Sequence, residues 1–586
     1  MRVYNNKSQA LIAAIIIVVV LALFSVVGAS LLGTQTGQSA TGLSESTQAF
    51  YLAHGGLEWY MQQLADDTNW TDQTDPATQS LGAGTFDISL SNIVANSMDI
   101  TSVGKVRGFD SRDRERWVSA TVKKAFPKTR FAVFWENDPG PETSTSFTGT
   151  VIEGDIWCRG SAELDSSSSV TNGWLYYADG ETVSLPEPPT ATPQVVELLF
   201  PDTFPDMPVI DTTYYDDLIT LWNSLIDDAD KNDWGQTGGE VYALDGNKDW
   251  TSQTIDDWSD IHTNGYNITG TNFNVSCNSF YLENASVIVE DAEEFTISCR
   301  NDFTTQGNAQ INANNYTINC SRHFKLEGTS SINSNNFTLN LDDDFDSNSI
   351  VNGTVSITGS GYIVCSNIGN VLIHSQIADE GTFTATPLGG NIYFLSGDTM
   401  RVNSATQTDQ TVTLNPGCFL YSRSYSSVTT DFLAVKNANT TISGSTLLAE
   451  RRIEITDGAD ITDDSVLYVD SMLSDVNNLI LIMGSGTTVD GAIVSRGINA
   501  RAIRINSAAS VTGLIYQYGG SGESPAGGIE IDGSSTITGS ILVRQFYNNS
   551  FGPATVTWDL SSLPSPLPNG FEAFEVYVDK DTWDGL

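Results

Sequence analysis

The chain has 586 residues, 71 Asp and Glu against 27 Lys and Arg, a net charge of −44 and a pI near 4.1. That length exceeds one compact domain unless the architecture repeats, and so acidic a surface repels phosphate backbones, which excludes nucleic acid as a partner. Aromatics at 10 % argue for a real core, while six Cys are too few for a disulfide scaffold and no CxxC spacing offers a zinc site.

At the N-terminus, Arg2 and Lys7 precede an uncharged stretch, and residues 10–32 form an apolar run. At about 1.5 Å per residue this run is long enough to cross a bilayer. The basic residues keep their side cytoplasmic, so the reading is a single-pass inner-membrane protein with its bulk exported. An ordinary cleaved signal peptide is the alternative; its apolar region would be shorter, about 7–15 residues. Beyond the run, Phe50, Leu52, Ala53, Leu57, Tyr60, Met61 and Leu64 keep a helical spacing. The spacing predicts one helix over 9–66, weakened or bent at Gly55-Gly56.

A short basic leader (1–8), the segment ALIAAIIIVVVLALF and then AFYLAHGGLEW resemble the PilX-type minor pilins, relatives of type IV pilins and of type II secretion pseudopilins. The resemblance covers about residues 5–65. It implies a processing junction with Ser8 before the cut and Gln9 as the first mature residue. Ser8 stands where pilins carry Gly, and Ala13 stands where major pilins carry the Glu that pairs with a neighbour's free amine. A buried amine would lack a partner there, so a minor, tip or priming position suits the chain better than a bulk subunit. The implied partners are other pilins and the pilus assembly machinery. A plain signal anchor holding a surface domain is the simpler alternative.

Residues 82–127 alternate apolar and polar. Phe86, Ile88 and Leu90, then Met98, Ile100 and Val103–Val106, then Trp117, Val118, Ala120 and Val122 predict a three-stranded antiparallel meander laid on the helix.

The bulk of the chain repeats. Cys277, Cys299, Cys320 and Cys365 are spaced by 22, 21 and 45 residues. FNVSC, FTISC, YTINC, FTLNL and YIVC share one pattern, with Leu341 in the Cys position of the fourth. Phe280, Phe303, Phe324 and Phe345 recur just beyond, and Asn314-Asn315 and Asn335-Asn336 precede the aromatic. A period of about 21 residues is too short for a propeller blade and suits one coil of a parallel β-solenoid. Equivalent residues on successive coils then lie about 4.8 Å apart. Cys277, Cys299, Cys320, Leu341 and Cys365 form an inward stack, and the Asn pairs are assigned to turns, bonding to their own kind from coil to coil. A metal site at the stacked Cys lacks a matching His or Asp cluster.

A second variant, TISG, DITD, TVDG, SVTG and TITG, places β-branched residues at 442, 461, 489, 511 and 537, with an earlier copy at 146–177. The fold is therefore read as mainly β: a pilin-like transmembrane helix (9–66) and small antiparallel meander, followed by a right-handed parallel β-helix. First coils at 131–180 are followed by a Pro-rich and helical insertion (181–238), the main solenoid (239–546) and a Pro-rich tail (547–586) that could lie back along the last coils. In the insertion, Tyr215, Leu218, Leu221, Trp222 and Leu225 define an apolar helix face, to pack on the solenoid side or cap an end.

No nucleophile elbow, HExxH, Walker loop or GxGxxG context is present, and only His54, His262, His323 and His374 occur. Arg300 and Arg322, with Asp342, Asp343, Asp344 and Asp346 beyond, could form a sugar cleft with calcium; a solvated acidic loop is the plainer account. Asp228, Asp230 and Asn232 resemble part of a calcium loop but lack its Gly and terminal acid, and DGNKDW (245–250) is equally partial. Sequons such as Asn267, Asn315, Asn336 and Asn439 follow from an Asn-, Ser- and Thr-rich composition. The expectation is a non-enzymatic, pilin-like component without cofactor that displays the solenoid for adhesion to glycans or other surfaces, or for assembly initiation. A membrane-tethered polysaccharide lyase or hydrolase, and a structural envelope protein unrelated to pili, are the rivals.

Overall fold

The computed structural model describes residues 37–65, 74–82, 84–94, 97–108, 113–125, 131–135, 144–158, 161–178, 183–184, 194–198, 213–229, 234–235, 240–289, 295–347, 353–373, 381–403, 410–423, 432–470, 479–496, 502–517, 528–543, 550–564 and 575–578. The chain divides into two units, Met1–Pro127 with Glu572–Leu586, and Lys128–Phe571.

In the first unit, helix α1 (Gly37–Ala65) buries Ala49, Leu52, Ala53, Leu57, Tyr60 and Leu64, one stripe at helical spacing. It runs unbroken through Gly55-Gly56. The physical reason is close approach: a Cβ at Gly56 would sit 2.4 Å from the Ser102 hydroxyl and 2.6 Å from the Phe86 ring. The helix-weakening cost of Gly, about 1 kcal/mol, is offset by this contact with the sheet.

That sheet comprises β1 (Gln79–Leu81), β2 (Gly84–Val94), β3 (Ser97–Arg107) and β4 (Asp113–Ala125), antiparallel in that order. The strand Glu575–Val578 then adds to β4, with Val122 opposite Val578. The sequence pattern predicted three strands; the structure has five, and part of the tail belongs here. Phe86, Ile88, Met98, Ile100, Val118, Ala120 and Val122 face α1. Trp117, in the predicted third strand, points away from the helix and is 43 % exposed, because neighbouring strand residues alternate faces.

The second unit is a parallel β-solenoid of about 13 turns. Cys277, Cys299, Cys320, Leu341 and Cys365 hold consecutive register positions in one buried column. Beside them run two aromatic stacks. Phe280, Phe303, Phe324 and Phe345 have ring centroids 5.1, 5.0 and 6.0 Å apart. Phe273, Phe295, Tyr316 and Phe337 are spaced by 4.7, 5.1 and 6.1 Å. In the later coils, Ile442, Ile461, Val489, Val511 and Ile537 form an equivalent column.

Outside the core, amide ladders run along the stack: Asn312 to Asn333, Asn314 to Asn335, Asn315 to Asn336 and Asn319 to Asn340, at 2.8–2.9 Å. The Asn pairs lie within the long strands Gln310–Cys320 and Ser331–Leu341, not in left-handed turns. Left-handed backbone falls instead on Asn264, Asn272 and Asn284.

The order of coils departs from the order of the sequence. The last coils of the main run, 541–557, pair in parallel with the early segment: Ile541 with Val133, Phe551 with Phe147 and Val556 with Ile152. The column of β-branched residues therefore continues from Ile537 through Val556 to Ile152 and Val170. Residues 131–198 extend the stack beyond its C-terminal end, and the coil that starts at Tyr242 opens its opposite end. The solenoid also runs past 546, through strands Ser550–Phe551 and Ala554–Thr557.

The insertion thus connects the two ends of the stack. Its helix α2 (Thr213–Ala229) lies on the flank, with Tyr215 against Tyr468 and Trp222 against Tyr393, Phe419 and Tyr421. Its buried stripe is Tyr215, Trp222, Ile226 and Ala229; Leu221, assigned inward from sequence, is half exposed. Further along the chain, the Trp234 carbonyl accepts from the Ser321 hydroxyl, and Gly235 sits against the backbone of Cys277, Cys299 and Arg300.

The apolar run 10–32, the leader and the junction Ser8/Gln9 lie outside the described residues. Among the described residues, no helix is long and apolar enough to cross a membrane.

Candidate functional site

Four groups of residues could carry function: the thiol column, the acidic loops, the flank under α2 and the amide ladders.

All six cysteines are buried thiols outside any disulfide. The Sγ atoms of Cys277 and Cys299 are 3.8 Å apart, well beyond a disulfide's 2.05 Å or so. Burial pushes the Cys299 and Cys365 thiols far up and the Cys418 thiol up to about 12. In this buried column the thiols serve as packing groups.

The acidic turns lie outside the columns. His323 Nε2 stands 3.6 Å from Asp343 Oδ2. Burial and the neighbouring Asp344 raise the Asp343 carboxyl. Asp344 Oδ1 already accepts from the Asn370 backbone and side-chain amides, both at 2.8 Å. Among the described residues, His323, Asp343 and Asp344 form the one group able to offer three donors to a single metal ion. Calcium takes six to eight oxygens, and this group supplies one imidazole nitrogen and two carboxylates, one of them already engaged.

Arg300 and Arg322 lie on successive coils but one position out of register, since Cys299 aligns with Cys320. They do not form a matched pair across the stack. Of the first calcium-like loop, Asp227 instead pairs with Arg423 at 2.7 Å, and Asp230 and Asn232 lie outside the described residues. In the second, Lys248 occupies Asp245 at 2.7 Å and Asp249 accepts from Thr251, which makes it a self-satisfied turn.

The flank under α2 is a polar network on an aromatic floor. Glu450 accepts from the Tyr421 hydroxyl (2.6 Å) and the Asn223 amide (2.9 Å). Arg496 bridges Asp216 (3.2 Å) and Asp470 (3.1 Å). Burial raises the Asp470 carboxyl, and the Arg423 hydrogen bond lowers Asp227. Sequence reasoning located the helix but not its partners, because the partners come from coils that only the return of the chain brings beneath it.

No family model matches the chain, and no curated protein does. Among solved structures, it is similar to the competence-associated pilin ComZ from Thermus thermophilus, at 10 % identity and a TM-score of 0.16, over 59 % of this chain and 92 % of that one. A likeness at that score carries no argument.

Proposed function

We propose that the chain is a pilin-like minor component of a type IV pilus or related filament, which displays a right-handed β-solenoid outside the cell. The observation that carries this reading is the first unit. An apolar run with basic residues before it leads into a helix, and the C-terminal part of that helix is covered by an antiparallel sheet. A resident anchor would need no such sheet on its helix, whereas a subunit that leaves the bilayer for a filament needs a folded head fixed to its stem. On this reading the chain is a single-pass inner-membrane protein until assembly, and its partners are other pilins and their assembly machinery.

The solenoid is the displayed part, and adhesion or assembly initiation is its task. Neither a cofactor nor catalysis enters this reading. The test is shearing and mass spectrometry. The chain should co-purify with sheared pili and lose that association on deletion of residues 1–33. Its mature N-terminus should be Gln9. An intact Met1 together with absence from sheared filaments would refute the reading in favour of a permanent envelope anchor.

A further inference from the structure

The repeating coils carry one irregularity that builds a notch. Strand Gly353–Cys365 pairs with Ser331–Leu341 up to Ser334, and pairing resumes with Phe337 opposite Gly361. The corner Gly359-Ser360-Gly361 is therefore one residue shorter than Ser334-Asn335-Asn336-Phe337 beneath it. Glycine permits the tight fit: a Cβ would lie 1.5 Å from the Ser334 carbonyl at Gly359 and 2.2 Å from the Phe337 carbonyl at Gly361. On the next coil, Pro387-Leu388-Gly389-Gly390 is longer than its neighbour, and Leu388 projects with 61 % exposure.

A short corner between two longer ones leaves a notch of about 260 Å³. Its floor is the amide ladders, Asn312 to Asn333 and Asn314 to Asn335, with Thr358 behind and Leu388 as a wall. Every lining residue is uncharged, in a chain of net charge −44. An amide carries two N–H donors and two acceptor lone pairs. The ladder bond takes one donor from each upper Asn and one lone pair from each lower one, and Asn312 also donates to Gln310 Oε1 at 3.2 Å. What remains on Asn333 and Asn335, one N–H and the carbonyl oxygen of each, is a fixed row of donors and acceptors along the upper strand.

We propose that this notch binds one sugar residue of a neutral polysaccharide. Hydroxyls that both donate and accept match the amide row, and the apolar wall suits the C–H face of a pyranose ring. An extended peptide suits it less well, since recognition of a strand needs a free backbone edge and the backbone here is committed to coil pairing. The volume lies below the roughly 300–1,000 Å³ of pockets that engulf a small ligand. Single-site binding is therefore weak, and retention on a surface comes from many copies engaging one polymer. This deepens the display reading and rests on it only for where the glycan is met.

The test uses the full chain in detergent micelles, with insoluble cellulose, chitin and starch as neutral probes and a polyuronate gel as the acidic one. Retention is expected on at least one neutral probe, and it should not change between about 0.15 M and about 1 M NaCl. Leu388→Asp and the double variant Asn333→Ala, Asn335→Ala should each reduce it by about tenfold or more, the size of one lost polar or apolar contact set. Because Leu388 is exposed, L388D keeps its melting temperature and serves as the folded control. The proposal is overturned by no retention on any neutral probe, by equal retention of both variants, or by retention on the charged gel alone. None of these results depends on filament assembly, which the shearing experiment tests separately.

Discussion

Replacing Trp222 by Ala should release α2 from the flank without melting the coils beneath it. Trp222 is fully buried and packs on Tyr393, Phe419 and Tyr421. A buried aromatic of its class removes about 150–250 Å² from water, which at about 25 cal/mol per Å² gives about 4–6 kcal/mol as an upper bound. Truncations of this kind cost about 3–5 kcal/mol. The remaining anchors are weaker. The Arg423–Asp227 and Arg496–Asp216 pairs have acidic partners about half exposed and contribute about 0–1 kcal/mol each. Tyr215 on Tyr468 and the buried Ile226 and Ala229 are left as the apolar contacts. Losing about 3–5 kcal/mol raises the population of the opened helix by about two to four decades. Hydrogen exchange followed by mass spectrometry reads this directly. Amides of 216–229 should exchange at least about a hundredfold faster, while those of 310–346 keep their protection. The aromatic columns of those coils include neither Trp222 nor Tyr215, which is why the two regions separate. Trp222→Phe should recover part of the protection. Unchanged exchange in α2, or equal acceleration throughout the coils, would refute the reasoning.

Gly513→Ala should lower stability by about 3 kcal/mol, since Gly513 has φ +123° and a Cβ there meets the Gly491 carbonyl at 2.0 Å. Gly246→Ala, with open space around it, should leave the melting temperature within error, and equal effects would remove the close-packing argument. The six buried thiols should fail to react with an aromatic disulfide reagent at about pH 8 and react fully in guanidinium; labelling of the native chain would contradict the dry column. Hydrogen bonds from the Ser167 hydroxyl first, then from the Gly149 amide and Ser168, hold the Asp165 carboxyl well below its ordinary range. Its contribution is complete above the unfolded value near 4 and is lost as pH falls through the lower folded value. Acid should therefore loosen coils 144–178 in the parent but have less effect on Asp165→Asn, and a carboxyl titrating near 4 by NMR would contradict this. Truncation after residue 527 removes 528–557, on which the early coils pair, and should open 131–198 to proteolysis; a truncated chain in which 131–198 stays protected would count against that order.

The coil period was legible because stacking puts like on like. Cys277, Cys299 and Cys320, and Phe303 and Phe324, recur at 21–22 residues since each must fill the same slot one coil on. The Asn ladders were legible for the same reason, but their place was not. Local chemistry assigns Asn to turns, whereas here amide bonding along the stack holds Asn315 and Asn336 in continuous strands. Coil order was not legible at all. The segment around Ile152 has the same alternation as that around Val511, and nothing in a pattern common to all coils says which coil stacks on which. Leu221 and Trp222 could each head the face of α2, and only the floor of Tyr393 and Tyr421 decides for Trp222. The notch was invisible because it comes from a missing residue at Gly359–Gly361, a difference in coil length that reads in sequence as ordinary loop variation.

The crossed order of coils moves a problem that every open stack of strands has. An exposed final coil presents unpaired N–H and C=O groups to any other chain. Here the coil ending at Thr557 is not the final one, because Val151–Glu153 pairs with it and further early coils follow. The segments that cover that end were already in the chain before the main run began. Each turn of the main run can template the next as it forms, since Phe324 needs only Phe303, and Phe345 only Phe324. The early coils pair among themselves, Val133 with Ile156 and Ile156 with Leu175, but join the main run only once residues 528–557 exist. Closure of the stack is therefore a late step set by pairing across some 400 residues, as in the bond from the Ser540 hydroxyl to the Phe131 carbonyl, separated by 409 positions. Pairing at that separation is slow for entropic reasons, so the early coils join the main run late, and the end of the complete stack falls at Gln194–Leu198, which pairs with Trp174–Ala178. The return segment carrying α2 follows from the same order: a chain that places its first coils at one end must travel back along the flank to begin the other, and Tyr215, Trp222 and Gly235 are the points at which it is held there.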